Sequence, residues 1–158
     1  MAPLTRGQVL AGKGLACFLT SAGVAVVLLV LGRLVFGVRL DNPAGLLLGI
    51  VCTSLGFTGI MMFLSTLGTT ERGVAGAGWG ILMPLAMLGG GMIPLIAMPD
   101  WMRTASSLSP VKWAILALEG TIWRGYSLAE MLLPCGILLI VGAVTFAIGV
   151  RVLRRQEA

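Results

Sequence analysis

The chain has 158 residues, 58% of them hydrophobic and 11% charged, with a net charge of +5 and a mean hydropathy of +1.02. A soluble domain carries about 25% charged residues, so this chain has too little polar surface to cover itself in water and is expected to be an all-α integral membrane protein. It is expected to be one transmembrane domain, 1–158, with no room for a water-facing catalytic domain and, because its basic residues apart from Arg151, Arg154 and Arg155 sit singly at the ends of apolar runs, no nucleic acid as partner.

Thr5-Arg6-Gly7-Gln8 has the spacing of a capping box. It predicts a cytoplasmic lead-in helix over 5–14 that continues into a first span at 15–36, with Arg33 near its end. That run is too long for the apolar core of a secretory signal, and no small-residue cleavage site follows it. Asn42-Pro43 supplies an N-cap and a first-position proline for a second span at 44–67. Thr69-Thr70-Glu71-Arg72-Gly73 is a short polar connection, expected on the cytoplasmic side, before a third span at 73–92. Ser127-Leu128-Ala129-Glu130 is a second capping box, opening a fourth span at 129–150. A helix of about 20 residues, rising about 1.5 Å each, crosses about 30 Å of hydrocarbon. By that measure the sequence predicts four transmembrane helices.

The segment between the third and fourth spans, 93–124, is predicted to hold outer interfacial, re-entrant helices. Gly89-Gly90-Gly91, Pro94 and Pro99 interrupt an uncharged run just where a helix should be finishing. Backbone groups freed by a broken helix cannot face lipid. The glycines are therefore expected to form a flexible end of the third span, and the prolines to turn the chain back. Asp100 is placed to cap a short helix over 101–107, and Ser109-Pro110 to start another over 111–123. In the second, Val111, Ile115, Leu118 and Ile122 make one apolar stripe, with Lys112 and Glu119 on another face. Trp101, Trp113, Trp123 and Tyr126 suit the membrane–water boundary.

Arg151, Arg154 and Arg155 form one basic cluster, which suits the cytoplasmic face with its anionic lipids. An even number of spans then puts both termini in the cytoplasm, together with Arg6, Lys13 and Arg72. Arg33, Arg39, Arg103, Lys112 and Arg124 fall outside. Cys17, Cys52 and Cys135 lie in apolar runs without a CxxC pair and are expected to be small buried hydrophobes. Gly45/Gly49 and Gly76/Gly80 are GxxxG pairs of the kind that let helix backbones approach closely. Met61, Met62, Met83, Met87 and Met92 offer an adaptable apolar lining, or simple packing.

Little enzymatic chemistry is available. Gly7 to Gly12-Lys13 imitates the start of a phosphate-binding loop, but Gly14 stands where the Mg²⁺-binding hydroxyl is needed and no buried strand precedes it. No cofactor and no metal are expected on this chain. It contains no His, which excludes Ser-His and Cys-His catalysis and most zinc sites. Its acids, Asp41, Glu71, Asp100, Glu119, Glu130 and Glu157, all lie away from mid-span. Proton- or sodium-coupled carriers keep an ionisable group at the midplane, so the energy for any transport is expected from elsewhere.

Two groups of motifs remain. One is Pro3-Leu4-Thr5-Arg6 with Leu10-Ala11-Gly12-Lys13; the other is Gly89-Gly90-Gly91, Pro94, Pro99-Asp100-Trp101 and Ser109-Pro110 ahead of the last span. In this order, from Leu4 to Arg155, the chain resembles the C-terminal, four-span portion of the permease subunit of type-2 ABC exporters. The resemblance implies a plasma (inner) membrane, multi-pass permease that works as a homodimer or with a second permease chain in the lipid bilayer. It also implies a separate ABC ATPase subunit that uses the ATP and couples through Pro3, Leu4, Arg6, Gly12 and Lys13. Gly89, Gly90, Gly91, Pro94, Pro99, Trp101 and Pro110 would then form an outer, re-entrant gate. Members of the family typically have six spans, so the four expected here imply a truncated or split permease, or a fragment with a misassigned start. The alternative is a non-transporting four-span structural or assembly protein, or a permease remnant.

Overall fold

A computed structural model of the chain describes residues 6–37, 42–68 and 70–156. Among these every regular element is helical: α1 (Arg6–Phe36), α2 (Pro43–Leu64), α3 (Glu71–Gly89), a 3₁₀ turn (Leu95–Ala97), α4 (Asp100–Ser106), α5 (Pro110–Ile122) and α6 (Leu128–Gln156).

Local chemistry sets most of the helix ends. The Asn42 side-chain oxygen accepts from the Gly45 N–H at 2.9 Å, and the Thr70 hydroxyl from the Gly73 N–H at 3.1 Å, capping α2 and α3. At α6 the predicted box closes reciprocally. The Ser127 N–H and hydroxyl donate to Glu130 Oε2 at 2.8 and 2.9 Å, and the Glu130 N–H points back to the Ser127 hydroxyl at 3.4 Å. Thr5, of the first predicted box, lies outside the described residues. Asp100 does not cap α4. Pro99 holds the N-cap position in extended backbone without a side-chain bond, and Asp100 is in the first turn, where the helix dipole favours a carboxylate.

The lead-in helix and the first span are one uninterrupted helix, α1. α2 stops at Leu64, short of the predicted end, because Ser65 and Thr66 turn their hydroxyls back onto the Met62 and Phe63 carbonyls, each at 2.7 Å. Among the described residues three helices are long and apolar enough to cross a membrane: Ala11–Phe36, Pro43–Leu64 and Leu128–Leu153. α3 has 19 residues and carries Glu71 and Arg72 in its first turn, and is not among them.

α2 is the centre of the bundle. Of its apolar window 56% is buried, against 6% for α1, which rests lightly on the rest. The main seam joins α2 to α6. On α2 the buried positions Gly45, Gly49, Cys52, Gly56 and Gly59 alternate spacings of four and three; on α6 so do Met131, Cys135, Leu138 and Gly142, with Gly149 a heptad further on. The backbones nearly touch. A Cβ on Gly56 would lie 3.0 Å from the Leu138 carbonyl oxygen, one on Gly142 2.7 Å from the Gly56 Cα, and one on Gly149 3.0 Å from the Met62 carbonyl carbon. The paired numbers rise together, so α2 and α6 run parallel. The chain between them must therefore travel back along the bundle, which it does through α3 and α5.

α5 lies antiparallel to α2. Its Ala117 carbonyl would be 3.1 Å from a Cβ on Gly49, and its Thr121 methyl 2.8 Å from one on Gly45. Such proximity selects small side chains, so the buried face of α5 is Pro110, Ala114, Ala117, Gly120 and Thr121. The predicted stripe of Val111, Ile115, Leu118 and Ile122 flanks that contact and is half-buried. Of the two GxxxG pairs only Gly45/Gly49 packs among the described residues, none of which lies within 4 Å of a Cβ on Gly76 or Gly80. Cys52 and Cys135 share the buried cluster with Ala114, Ala117, Met131 and Leu138, whereas Cys17 on α1 is half-buried.

Candidate functional site

The interruption after α3 is an ordered stop. Gly90 takes the left-handed conformation, with φ of 99°, and its N–H and that of Gly91 converge on the Ala86 carbonyl, Gly91 at 2.8 Å. This is the hydrogen-bonded ending that favours glycine at the left-handed position. Gly89 is a glycine for a different reason: a Cβ there would lie 2.7 Å from both the Ser109 hydroxyl oxygen and the Val111 Cβ. The flexible end expected from three consecutive glycines is thus a tight cap, fixed by one close approach and one left-handed turn.

Ser109 fastens that end to the next helix. Its hydroxyl donates to the Leu85 carbonyl at 2.6 Å and accepts from the Val111 N–H at 3.2 Å, so one buried side chain caps α5 and holds α3. A second clasp joins α4 to α5. The Lys112 ammonium donates to the Arg103 carbonyl at 3.2 Å and the Ser107 hydroxyl at 2.8 Å, while the Trp113 indole N–H donates to the Ser107 carbonyl at 2.9 Å. A cation at the C-terminus of α4 is also favoured by the helix dipole. Sequence reasoning placed Lys112 on a face away from the apolar stripe and missed these bonds, because the Arg103 carbonyl and Ser107 hydroxyl come within its reach only once the corner is folded. At the far end of α5, the Tyr126 ring packs directly on Gly120 and its N–H donates to the Gly120 carbonyl at 2.8 Å.

Of the predicted gate residues, the structure brings Gly89, Gly90 and Pro110 together at this junction. Gly91, Pro94, Pro99 and Trp101 are exposed around it. Of the predicted coupling residues, Pro3 and Leu4 lie outside the described residues; Arg6, Gly12 and Lys13 are in the first turns of α1, with Gly12 and Lys13 exposed.

Two apolar grooves flank the seam. One, of about 510 Å³, runs between α1 and the α2–α6 pair over Gly14, Phe18, Leu55, Gly59 and Phe146. The other, of about 440 Å³, lies between α2 and α3 over Met61, Leu64, Trp79, Met83 and Ala86. Only Met61 and Met83 of the five methionines share that lining; Met62 is buried in the bundle, and Met87 and Met92 point outward. Among the described residues no three His, Cys, Asp or Glu side chains gather as a metal ion would require.

Comparison with known proteins agrees with this architecture of apolar spans around a glycine seam. A family model described as ABC-2 family transporter protein matches residues 1–151. The linearmycin resistance permease protein LnrN of Bacillus subtilis (strain 168) is 31% identical over 156 residues, which is 97% of this chain and 40% of that protein. The chain thus spans well under half the length of the curated relative it matches. No solved structure matches it. With nearly all of its length matched by that family model, the chain belongs to the ABC-2 transporter family.

Proposed function

We propose that this permease is the membrane-spanning part of an exporter driven by ATP hydrolysis on a separate ABC subunit, moving an unidentified substrate out of the cytoplasm. The observation that carries the energetic part is the content of the bundle. Among the described residues the buried polar side chains are all hydroxyls: Ser54, Thr58, Thr66, Ser106, Ser109 and Thr121. Such an interior offers no acid or base for coupling to protons or sodium, which supports an energy source outside the bilayer. The resistance role in the relative's name supports the outward direction.

In this reading the ATPase docks near the cytoplasmic end of α1, on Pro3, Leu4, Arg6, Gly12 and Lys13, and on the 69–73 connection. Because α1 continues unbroken into its span, a push at that end is passed straight into the membrane. Both termini are cytoplasmic, and the return path between the parallel α2 and α6 supplies the fourth crossing. The α3–α5 junction at Gly89, Gly90 and Pro110, with Gly91, Pro94, Pro99 and Trp101 around it, is the outer gate. Gly76 and Gly80, bare within the chain, suit contact with a second permease subunit, either the same chain or another.

The test is affinity purification of the tagged chain from its native membrane in mild detergent. An ABC ATPase should accompany the wild-type protein, and Arg6→Glu with Lys13→Glu should reduce its yield severalfold. Unchanged recovery with the double variant would remove this docking surface.

A further inference from the structure

Beside the α4–α5 clasp lies a cleft of about 330 Å³ lined by Leu95, Arg103, Lys112, Leu116 and Arg124. We infer that this cleft binds a phosphate-bearing group, which in the membrane is the headgroup of an anionic phospholipid. The inference does not depend on transport or its direction.

Three cations reach this one space from α4, α5 and the turn after α5. Their internal carboxylate partners are weakly held. Arg103 and Asp100 stand 4.0 Å apart with both side chains exposed, and Arg124 meets Glu119 at 3.4 Å, also in an exposed pair. Exposed pairs of this kind contribute little, so a better anion can displace them. Lys112 is positioned differently. Its ammonium is fixed by the Arg103 carbonyl and the Ser107 hydroxyl, and it has a third proton to offer. Two guanidinium forks and an ammonium around one cleft match the several oxygens of a phosphate better than the two of a carboxylate.

The other lining atoms point to a lipid. Leu95 and Leu116 give the cleft apolar walls on which a glycerol backbone and its first acyl carbons can lie. Trp101 and Trp123, near the arginines in sequence, are 71% and 77% exposed, as interfacial tryptophans are. Three clustered cations are too costly to leave in hydrocarbon, so this surface belongs at headgroup depth, within reach of lipid phosphates.

The whole chain, purified in a neutral detergent, is titrated with a short-chain phosphatidylglycerol while tryptophan fluorescence is followed. A saturable change is expected, and Arg103→Gln with Arg124→Gln should weaken it by at least about tenfold. Both side chains are exposed, so circular dichroism of the double variant should match the wild type. Each arginine is also changed singly to Lys, which keeps charge but loses the fork and should give a smaller loss. Inorganic phosphate that competes at the lipid's own concentration would make the natural ligand a free phosphate; failure to compete assigns the site to the lipid. Wild-type affinity in all three variants, or an equal change with a short-chain diacylglycerol that lacks phosphate, would overturn the inference.

Discussion

Ser109 and Leu85 are 24 residues apart in sequence, yet the hydroxyl of one donates to the carbonyl of the other at 2.6 Å. The same oxygen accepts from the Val111 N–H, so a single side chain begins one helix and ties it to the last turn of another. Ser109→Ala should remove both bonds and leave the Val111 N–H without its cap, costing about 1–3 kcal/mol. Unfolding by SDS titration in mixed micelles should show the lower midpoint; a midpoint equal to wild type would mean the junction is held by packing alone.

The glycines separate into two groups that substitution will tell apart. Gly59→Ala and Gly142→Ala push a methyl into opposing backbone that cannot step aside, so each should cost at or above the usual 1–3 kcal/mol or so of overpacking. Gly76→Ala and Gly80→Ala meet nothing within 4 Å and should be neutral, or stabilising by up to about 1 kcal/mol through helix propensity. Melting of detergent-purified variants by size-exclusion chromatography after heating reads the contrast. Equal melting temperatures across the four would refute the α2–α6 seam.

At the start of α6, the Glu130 carboxylate accepts from both donors of Ser127. Glu130→Ala should fray the first turn at a cost of about 0.5–2 kcal/mol, with the remainder of the bundle intact. Hydrogen exchange should rise for the first residues of α6 and stay unchanged near Leu138; protection equal to wild type at both places would contradict the reciprocal cap.

Thiol accessibility should follow burial. Cys52 and Cys135 are each 4% exposed, and Cys17 lies half-buried on the loosely packed α1. In mild detergent a maleimide should modify Cys17 first, with Cys52 and Cys135 reacting at comparable rates only after denaturation. Single-cysteine variants followed by mass spectrometry provide the measurement, and equal native rates for Cys17 and Cys135 would contradict the packing.

Where local chemistry decides a feature, it could be read from the residues. Asn42, Ser109 and the Ser127–Glu130 pair cap their helices as their spacing implies, because a cap involves only neighbours along the chain. Asp100 was misread since Pro99, already extended, occupies the cap position first. Which face of α5 is buried was not legible from its apolar stripe, for a non-local reason: helix-spaced large apolar residues mark the buried face only when the opposing surface leaves room for them. Against the glycines of α2 the smaller residues of α5, Ala114, Ala117, Gly120 and Thr121, are the ones buried. The seam itself was present in the sequence as heptad-spaced Gly45, Gly49, Gly56 and Gly59, yet in a chain with 23 glycines the spacing stands out only once Gly142 is known to face it. The clasp of Lys112 on α4 left no signal, because its acceptors, the Arg103 carbonyl and the Ser107 hydroxyl, converge on it only once the α4–α5 corner is folded.

The parallel run of α2 and α6 also fixes an order of events during synthesis. Gly59 and Gly142 are separated by more than half the chain, so α2 leaves the ribosome and enters the bilayer long before its main partner exists. Until α6 arrives, its glycine face is covered only by lipid, by other helices or by the insertion machinery. Contacts this distant in sequence form late, and a nascent chain released anywhere before about Gly149 would lack part of the surface that holds the bundle together.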